Sequence, residues 1–445
     1  MAIKTLANFS PGRTILISVF IAIMSGTLLL ALPMARTTSI PFIDLFFTAT
    51  SATCVTGLFT IPLDQFTTFG HAIILLLIQI GGLGLITMTL FFMSLFINLG
   101  LTTQYMAGQL LEIDSIHHLR NIIFFIIRLT LCTELIGACF VFWAIHTDYP
   151  FTQACFLALF HAISSFCNAG ISLFPQELVH YNTNLIMLYT TMWLILCGGL
   201  GFITWREIIL NLKSWVRRKR IVFSLQSKLI VLGTLVSVIF TAALFWILEH
   251  DNAFAGMDFV TSWTNALFHS IAMRSSGFFT VTIDQLQLAS LLLIMILTFI
   301  GSAPGSTGSG IKITNFILLL ATIKAGLSNK QAVEIKGRRI PRDQIHKAVT
   351  IVTLSIFWIL ISLFLLLITE EKMHFIELTL EAITAFTNLG LSAGITSRLS
   401  MMGKLFIILS MIAGRIGSLT LILALRKTKT STVEFSYPEE RVMLG

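Results

Sequence analysis

Charge is scarce in this chain. Only 11% of its 445 residues are Asp, Glu, Lys or Arg, against 56% hydrophobic, with a mean hydropathy of +0.89. Soluble domains carry about 25% charged residues, so water cannot solvate most of this surface. The six cysteines, Cys54, Cys132, Cys139, Cys155, Cys167 and Cys197, all lie in or beside apolar segments and none is in a CxxC pair. That spacing excludes a disulfide framework and a zinc site, and leaves small buried side chains. The apolar stretches hold His, Asp and Glu only as scattered residues, whereas a membrane-embedded enzyme would need them clustered. A phosphate loop is excluded too: Lys312 does not directly follow Gly310 and no Ser or Thr comes next, so GxxxxGK[ST] fails.

What is present is long apolar runs, near 13–34, 71–99, 121–145, 184–211, 228–248, 288–323, 346–369 and 403–425. Roughly 20 such residues span a bilayer as a helix. The first run ends LALPMARTTSIP, with no small-residue cleavage site, so it reads as a span and not as a cleaved signal. Basic residues follow the fourth span (Lys213, Arg217, Arg218, Lys219, Arg220), separate the sixth from the seventh (Lys330, Lys336, Arg338, Arg339, Arg342, Lys347) and follow the last (Arg426, Lys427, Lys429). The alternate loops are richer in acid, among them Asp44, Asp64, Asp148, Asp251, Glu370 and Glu371. The positive-inside rule then puts both termini in the cytoplasm of a multi-pass cell-membrane protein. Nucleic acid is the weaker reading of these basic runs.

Four stretches match one another: FTATSATCVTGL (47–58), FHAISSFCNAGI (160–171), FHSIAMRSSGFF (268–279) and LEAITAFTNLGL (380–391). Each runs from a bulky apolar residue through small or hydroxylated positions to a glycine. Those glycines are Gly57, Gly170, Gly277 and Gly390, at near-equal spacing; the third arrives one residue early. Repetition of this kind points to a fourfold duplication, with units 1–100, 101–225, 226–343 and 344–426 and a cytoplasmic tail at 427–445. Within each unit a long span precedes a short segment (about 41–53, 151–165, 257–272, 375–386), then the glycine, then a second span. Apolar segments of 10–14 residues are too short to cross and read as re-entrant. Ser39 with Pro41, and Asp148 with Pro150, read as a cap followed by a first-turn proline.

Non-helical backbone at membrane depth is tolerated where it lines a polar cavity or is buried in protein, so four such loops around one axis predict a pore. A dehydrated monovalent cation needs a ring of oxygens, which backbone carbonyls supply without a charge that would trap it. Glycine lets the chain approach closely and turn its carbonyls inward. The expected ion-binding set is Thr53, Cys54, Val55, Thr56 and Gly57; Asn168, Ala169 and Gly170; Ser275, Ser276 and Gly277; and Asn388, Leu389 and Gly390. The fold class is all-α, eight transmembrane helices in four repeats of span, pore helix, filter loop and span.

On SATCVTGL (51–58), NAGIS (168–172), RSSGF (274–278) and TNLGLSAG (387–394), essentially the whole chain resembles the Trk/Ktr/HKT superfamily of potassium transporters, most closely its Ktr-type membrane subunit. The resemblance implies potassium uptake, with sodium as a candidate co-ion or activator and no covalently bound cofactor. It further implies a homodimer with one pore per subunit, and a cytosolic nucleotide-binding regulatory ring of RCK type on the basic inner face. In that family serine in place of the first filter glycine goes with sodium preference; here Gly57 is glycine. The third and fourth filters, SSG and TNLG, are more polar than the family's usual TAG and TVG. The rival function is an alternating-access sodium/potassium symporter, which broken helices also suit.

A second repeated motif follows each filter: GGLGLIT (81–87), GGLGFIT (198–204), GSAPGSTGSGIKIT (301–314) and AGRIGSLT (413–420). The third is the same bend with an insertion. Its Gly301, Pro304, Gly305, Gly308 and Gly310, with Ser306, Thr307 and Ser309, break any helix, so the stretch is expected to project into the pore below the filter and gate it, with Lys312 at its end. Arg415 lies at matching depth in the last span, where its guanidinium can donate hydrogen bonds to the carbonyls of this loop, and charged residues inside spans are functional candidates by default. Arg274 is expected to brace the third filter. Glu134 and Arg128 are expected to pair with neighbouring spans, and His161 and His269 to make structural hydrogen bonds.

Overall fold

In the computed structural model, residues 11–84, 119–175, 177–218, 223–330 and 332–417 are described. The outer parts of the expected spans 71–99 and 403–425, Lys219 and Arg220, the basic cluster Arg426, Lys427 and Lys429, and the tail at 427–445 lie outside them. Among the described residues fourteen α-helices follow one another: α1 (Pro11–Leu30), α2 (Phe42–Cys54), α3 (Thr68–Leu83), α4 (Leu119–Ile145), α5 (Phe151–Cys167), α6 (Leu185–Gly199), α7 (Phe202–Val216), α8 (Leu225–Glu249), α9 (Phe259–Ala272), α10 (Leu288–Phe299), α11 (Ile313–Leu327), α12 (Arg342–Thr369), α13 (Phe375–Thr387) and α14 (Met401–Ile416). The sheet among the described residues is a two-residue hairpin, β1 (Glu334–Ile335) with β2 (Arg338–Arg339).

α2, α5, α9 and α13 coincide with the four segments read as re-entrant. Three of them pack between the helix before and the helix after in the chain, α2 with α1 and α3, α5 with α4 and α6, and α13 with α12 and α14, while α9 packs on α8 before it. The units also pack in a cycle, α3 on α5, α6 on α9, α10 on α13 and α14 back on α2. The bulky residue that opens each repeated motif explains why these short helices stay fixed. Phe47, Phe160, Phe268 and Leu380 are all buried, and burying such a side chain stabilises by roughly 1.5–3 kcal/mol. The outer helices face the other way, with Leu135 and Trp143 on α4, Phe240 and Ile247 on α8, and Phe357 and Phe364 on α12 exposed. Lipid is the solvent that suits such faces.

Among the described residues Asn121–Ile145, Leu225–Glu249 and Arg342–Thr369 are long and apolar enough to cross a membrane unbroken. Two of the expected spans are divided instead. The run 184–211 becomes α6 and α7, bent by 102°, and 288–323 becomes α10 and α11 with thirteen non-helical residues, 300–312, between them. The first bend falls at Gly201, whose φ of +85° is a conformation glycine adopts without steric cost. Hydropathy is continuous across it, so only the GGLG motif marked the break.

The expected caps at Ser39 and Asp148 do not form. Pro41 and Pro150 themselves occupy the N-cap positions of α2 and α5, without a side-chain cap bond. Asp148 instead accepts a hydrogen bond from the Tyr181 hydroxyl at 3.2 Å. α9 is capped by Asp258, which accepts from Val260 N (3.1 Å) and Thr261 N (3.3 Å).

Candidate ion pathway

The four short helices end in a common way. In α2, α5 and α13 the residue after the helix is left-handed: Val55 at φ +59°, Asn168 at +60° and Asn388 at +54°. The next N–H then reaches back to the helix, Thr56 N to Ser51 O (2.8 Å), Ala169 N to Ser164 O (2.8 Å) and Leu389 N to Thr384 O (2.9 Å). This is the Schellman closure, which ends a helix and turns the chain sharply. A β-branched residue such as Val55 rarely adopts this conformation. The third motif is one residue shorter between its bulky residue and its glycine, and α9 is followed by no left-handed residue of this kind; Gly277 N and Ser276 N both bond Ala272 O, at 3.0 and 2.9 Å. The early glycine of the third motif is thereby explained.

One residue further on, the glycines Gly57, Gly170, Gly277 and Gly390 all have positive φ, from +65° to +97°. The space beside each is filled by the next unit's backbone. A methyl at Gly57 would lie 2.6 Å from Ala169 O. One at Gly170 would meet Ser276 O, one at Gly277 Leu389 O, and one at Gly390 Thr56 O, all closer still. Thus the carbonyl before each glycine abuts the glycine of the preceding unit, and the fourth abuts the first. Backbone from all four motifs closes one ring. Only glycine permits this approach.

The polar atoms beside the ring divide into two groups. Thr53 Oγ1 and Thr56 Oγ1 are buried with no partner. Asn388 Nδ2 donates to Cys54 O at 2.9 Å, and Asn168 joins two neighbours, donating from Nδ2 to Thr307 Oγ1 (2.7 Å) and accepting at Oδ1 from Ser275 Oγ (2.9 Å). These asparagines link adjacent loops side by side, a role the sequence did not reveal because their partners are distant in the chain. His161 bonds Thr191 Oγ1 at 2.9 Å and His269 bonds Thr280 Oγ1 at 3.1 Å, as expected of structural histidines. Glu134 accepts from Gln79 Nε2 at 3.2 Å, a neighbouring-span contact. Arg128 is exposed, so the expected pairing does not show in its burial.

The loop 300–312 lies directly against this ring. It leaves and rejoins the helices side by side, with Ile300 bridged to Ile311 and Gly301 N bonded to Ile311 O at 2.8 Å. Its middle is tied to α6 and to the bend after it: Ala303 N to Gly199 O (3.0 Å), Thr307 N to Gly198 O (3.2 Å) and Phe202 N to Gly305 O (2.9 Å). Thr307 Oγ1 also donates to Phe166 O at 2.9 Å, at the end of α5. Ser302 and Ser306 hydroxyls bond each other at 2.8 Å, and Lys312 Nζ donates to Gly308 O at 2.7 Å.

Arg415 spans the gap between this loop and the first unit. Its Nη1 donates to Thr307 O at 2.7 Å and Ser309 Oγ at 2.9 Å; its Nη2 donates to Gly81 O and, at 3.3 Å, to Gly82 O. Pairing with the loop was expected; Gly81 and Gly82 were not, although both stand in the quoted GGLG motif. From the opposite side Arg274 reaches Gly301 O at 3.4 Å, so it braces the loop rather than the filter beside it. Arg415 is half-buried, held by backbone carbonyls and the Ser309 hydroxyl, with no carboxylate partner among the described residues. A positive charge fixed in this way would oppose a cation passing close to it.

A family model described as TrkH, cation transport protein, matches residues 4–437. The chain is 33% identical to the Ktr system potassium uptake protein B of Bacillus subtilis (strain 168), over 98% of this chain and 97% of that one. It is 32% identical to the potassium/sodium uptake protein NtpJ of Enterococcus hirae, over 98% of each. A crystal structure of the potassium transporter TrkH from Vibrio parahaemolyticus shares the fold, with a TM-score of 0.69 at 18% identity over 92% of this chain and 84% of that one.

Proposed function

Since the chain belongs to the TrkH cation transport family, we propose that it takes up potassium across the cell membrane, with the glycine ring as its selectivity filter and the loop 300–312 as its gate. The Bacillus relative is a potassium uptake protein, and for the Enterococcus relative sodium is named beside potassium. All are transport proteins, which points away from an enzyme. The observation that carries the filter reading is the closed cycle of glycine-to-carbonyl approaches at Gly57, Gly170, Gly277 and Gly390.

A potassium ion at the ring would exchange part of its hydration shell for the carbonyls of Thr56, Ala169, Ser276 and Leu389, with Cys54, Val55, Asn168, Ser275 and Asn388 holding those carbonyls in register. The pore helices add their carbonyl ends as partial negative charge. Thr53 and Thr56 hydroxyls, unpartnered in protein, are further oxygens for the ion or its water. Below, Gly301, Pro304, Gly305, Ser306, Thr307, Gly308, Ser309, Gly310 and Lys312 form the barrier, and Arg415 pins it closed. The four units follow the boundaries 1–100, 101–225, 226–343 and 344–426, with both termini cytoplasmic and the tail at 427–445. The basic inner loops, including Arg217, Arg218, Arg338 and Arg339, fit a cytosolic nucleotide-binding ring of RCK type, and two copies of the chain form a homodimer with one pore each. These partners follow from the family resemblance.

Gly57→Ser tests the filter. Of the four positions, Gly57 is where an added side chain meets the mildest obstruction, so the variant is expected to fold and to shift the potassium-to-sodium permeability ratio toward sodium. An unchanged ratio in a correctly inserted protein would count against the ring as the selectivity element.

A further inference from the structure

Five buried carboxylates stand in the described part of the molecule, and four have a nitrogen donor. Asp44 pairs with Lys404 Nζ at 2.6 Å. Glu134 accepts from Gln79. Glu249 accepts from Asn252 Nδ2 (2.7 Å) and from Gln287 N (3.0 Å), and Glu370 from Ser400 N (3.0 Å). Glu381 is the exception. It is fully buried in α13, and the side chains that bond it are the hydroxyls of Thr396, at Oε1, and Ser392. Its Oε2 has no hydrogen-bond partner, and no basic side chain lies within 4 Å among the described residues. An unpaired carboxylate is costly to bury, and two things relieve that cost here: a proton on the carboxyl, which Thr396 Oγ1 could accept, or a cation bound at the partnerless Oε2.

The polar partners are hydroxyls. Thr396 Oγ1, itself buried, is 2.8 Å from Ser392 Oγ, and Ser392 is half-buried. A hydroxyl can give its hydrogen to the carboxylate and turn a lone pair toward a cation at once. We infer that Glu381, Thr396 and Ser392 form a binding site for a small monovalent cation, sodium, behind the fourth filter loop. The field strength of the ligands separates this site from the ring. A full carboxylate charge in a tight pocket favours the smaller ion, whereas neutral carbonyls suit potassium. Ser392 stands two residues after Gly390, so a sodium ion here would hold the loop that completes the ring. The site shares no residue with the filter or the gate and does not depend on their assigned roles.

The experiment measures thermal unfolding of the full chain in lipid nanodiscs, in constant high potassium chloride so that potassium sites stay filled. Sodium chloride is exchanged against choline chloride at fixed ionic strength. The wild-type Tm is expected to rise saturably with sodium. Glu381→Gln is expected to lose that rise, and Thr396→Val, which removes one ligand, to raise the half-saturating concentration about tenfold. A Tm of the wild type that follows pH but not sodium would mean a protonated carboxyl and overturn the site. So would an equal sodium response in wild type and Glu381→Gln. Should Glu381→Gln not fold, Thr396→Val and Ser392→Ala decide the matter, and an unshifted half-saturation in both would overturn it.

Discussion

The ring and the loop beneath it are made of the same material, glycines and small polar residues within apolar sequence, yet they are held in opposite ways. The ring is fixed by fit. Its four glycines leave no room for a Cβ, and its turns are closed by backbone bonds of 2.8 to 3.0 Å to the ends of buried helices. Nothing in it can swing aside without unpacking a pore helix. The loop is fixed by bonds. Three backbone bonds to α6 and the bend after it hold it, with a few side chains, Arg415 above all, together with Thr307, Asn168 and Arg274. Fit makes a permanent structure, whereas a handful of hydrogen bonds makes one that an input of a few kcal/mol can release. On the proposed reading, one sequence device, glycines among small polar residues at membrane depth, serves as filter or gate according to which of these holds it.

The largest effect is expected where fit is tightest. Gly390→Ala puts a methyl against Thr56 O at a φ of +82°. The left-handed backbone costs roughly 1–2 kcal/mol and the overpacking typically about 1–3 kcal/mol more. An uptake-deficient host carrying this variant should fail to grow at limiting potassium. Growth at the wild-type rate would show that the ring tolerates distortion.

The gate should respond in the other direction. Arg415→Ala removes every bond from the last helix to the loop and to Gly81 and Gly82. Hydrogen bonds to a charged group are worth about 1.5–3 kcal/mol each. Losing the latch should therefore raise rubidium flux in vesicles at least about tenfold and make it less dependent on the regulator. Removing Gly305 to Gly310 should act alike. Flux and regulation unchanged by both would reduce the loop to packing.

A smaller effect is expected of Thr307→Val, which keeps the shape and deletes the hydroxyl that accepts from Asn168 and donates to Phe166 O. One neutral bond contributes about 0.5–1.5 kcal/mol, so the same assay should show a severalfold rise. A rise equal to that of Arg415→Ala would shift the latch from the guanidinium to the threonine.

Much of this was legible in the sequence because duplication wrote it four times. Bounds of the pore helices, the filter glycines and the pairing of Arg415 with the loop all followed from comparing one unit with another. What did not repeat was hidden. The cross-links from Asn168 and Asn388 join residues more than a hundred positions apart, and periodicity within one segment carries no trace of them. The kink at Gly201 lies in unbroken hydropathy. Ser39 and Asp148 looked like caps because short-range rules favour them there, but proline took the N-cap position itself. Glu381 is one more scattered acid in the sequence, and only the fold brings the Thr396 and Ser392 hydroxyls to it.

The central claim is that potassium is coordinated by backbone from all four units at once. It is tested most directly by a structure of the protein soaked in rubidium, with the ion located by anomalous scattering. The account predicts a peak on the axis enclosed by the carbonyls of Thr56, Ala169, Ser276 and Leu389, weakened in Gly57→Ser. Rubidium bound elsewhere in the membrane region, with the ring empty at saturating ion, would contradict it.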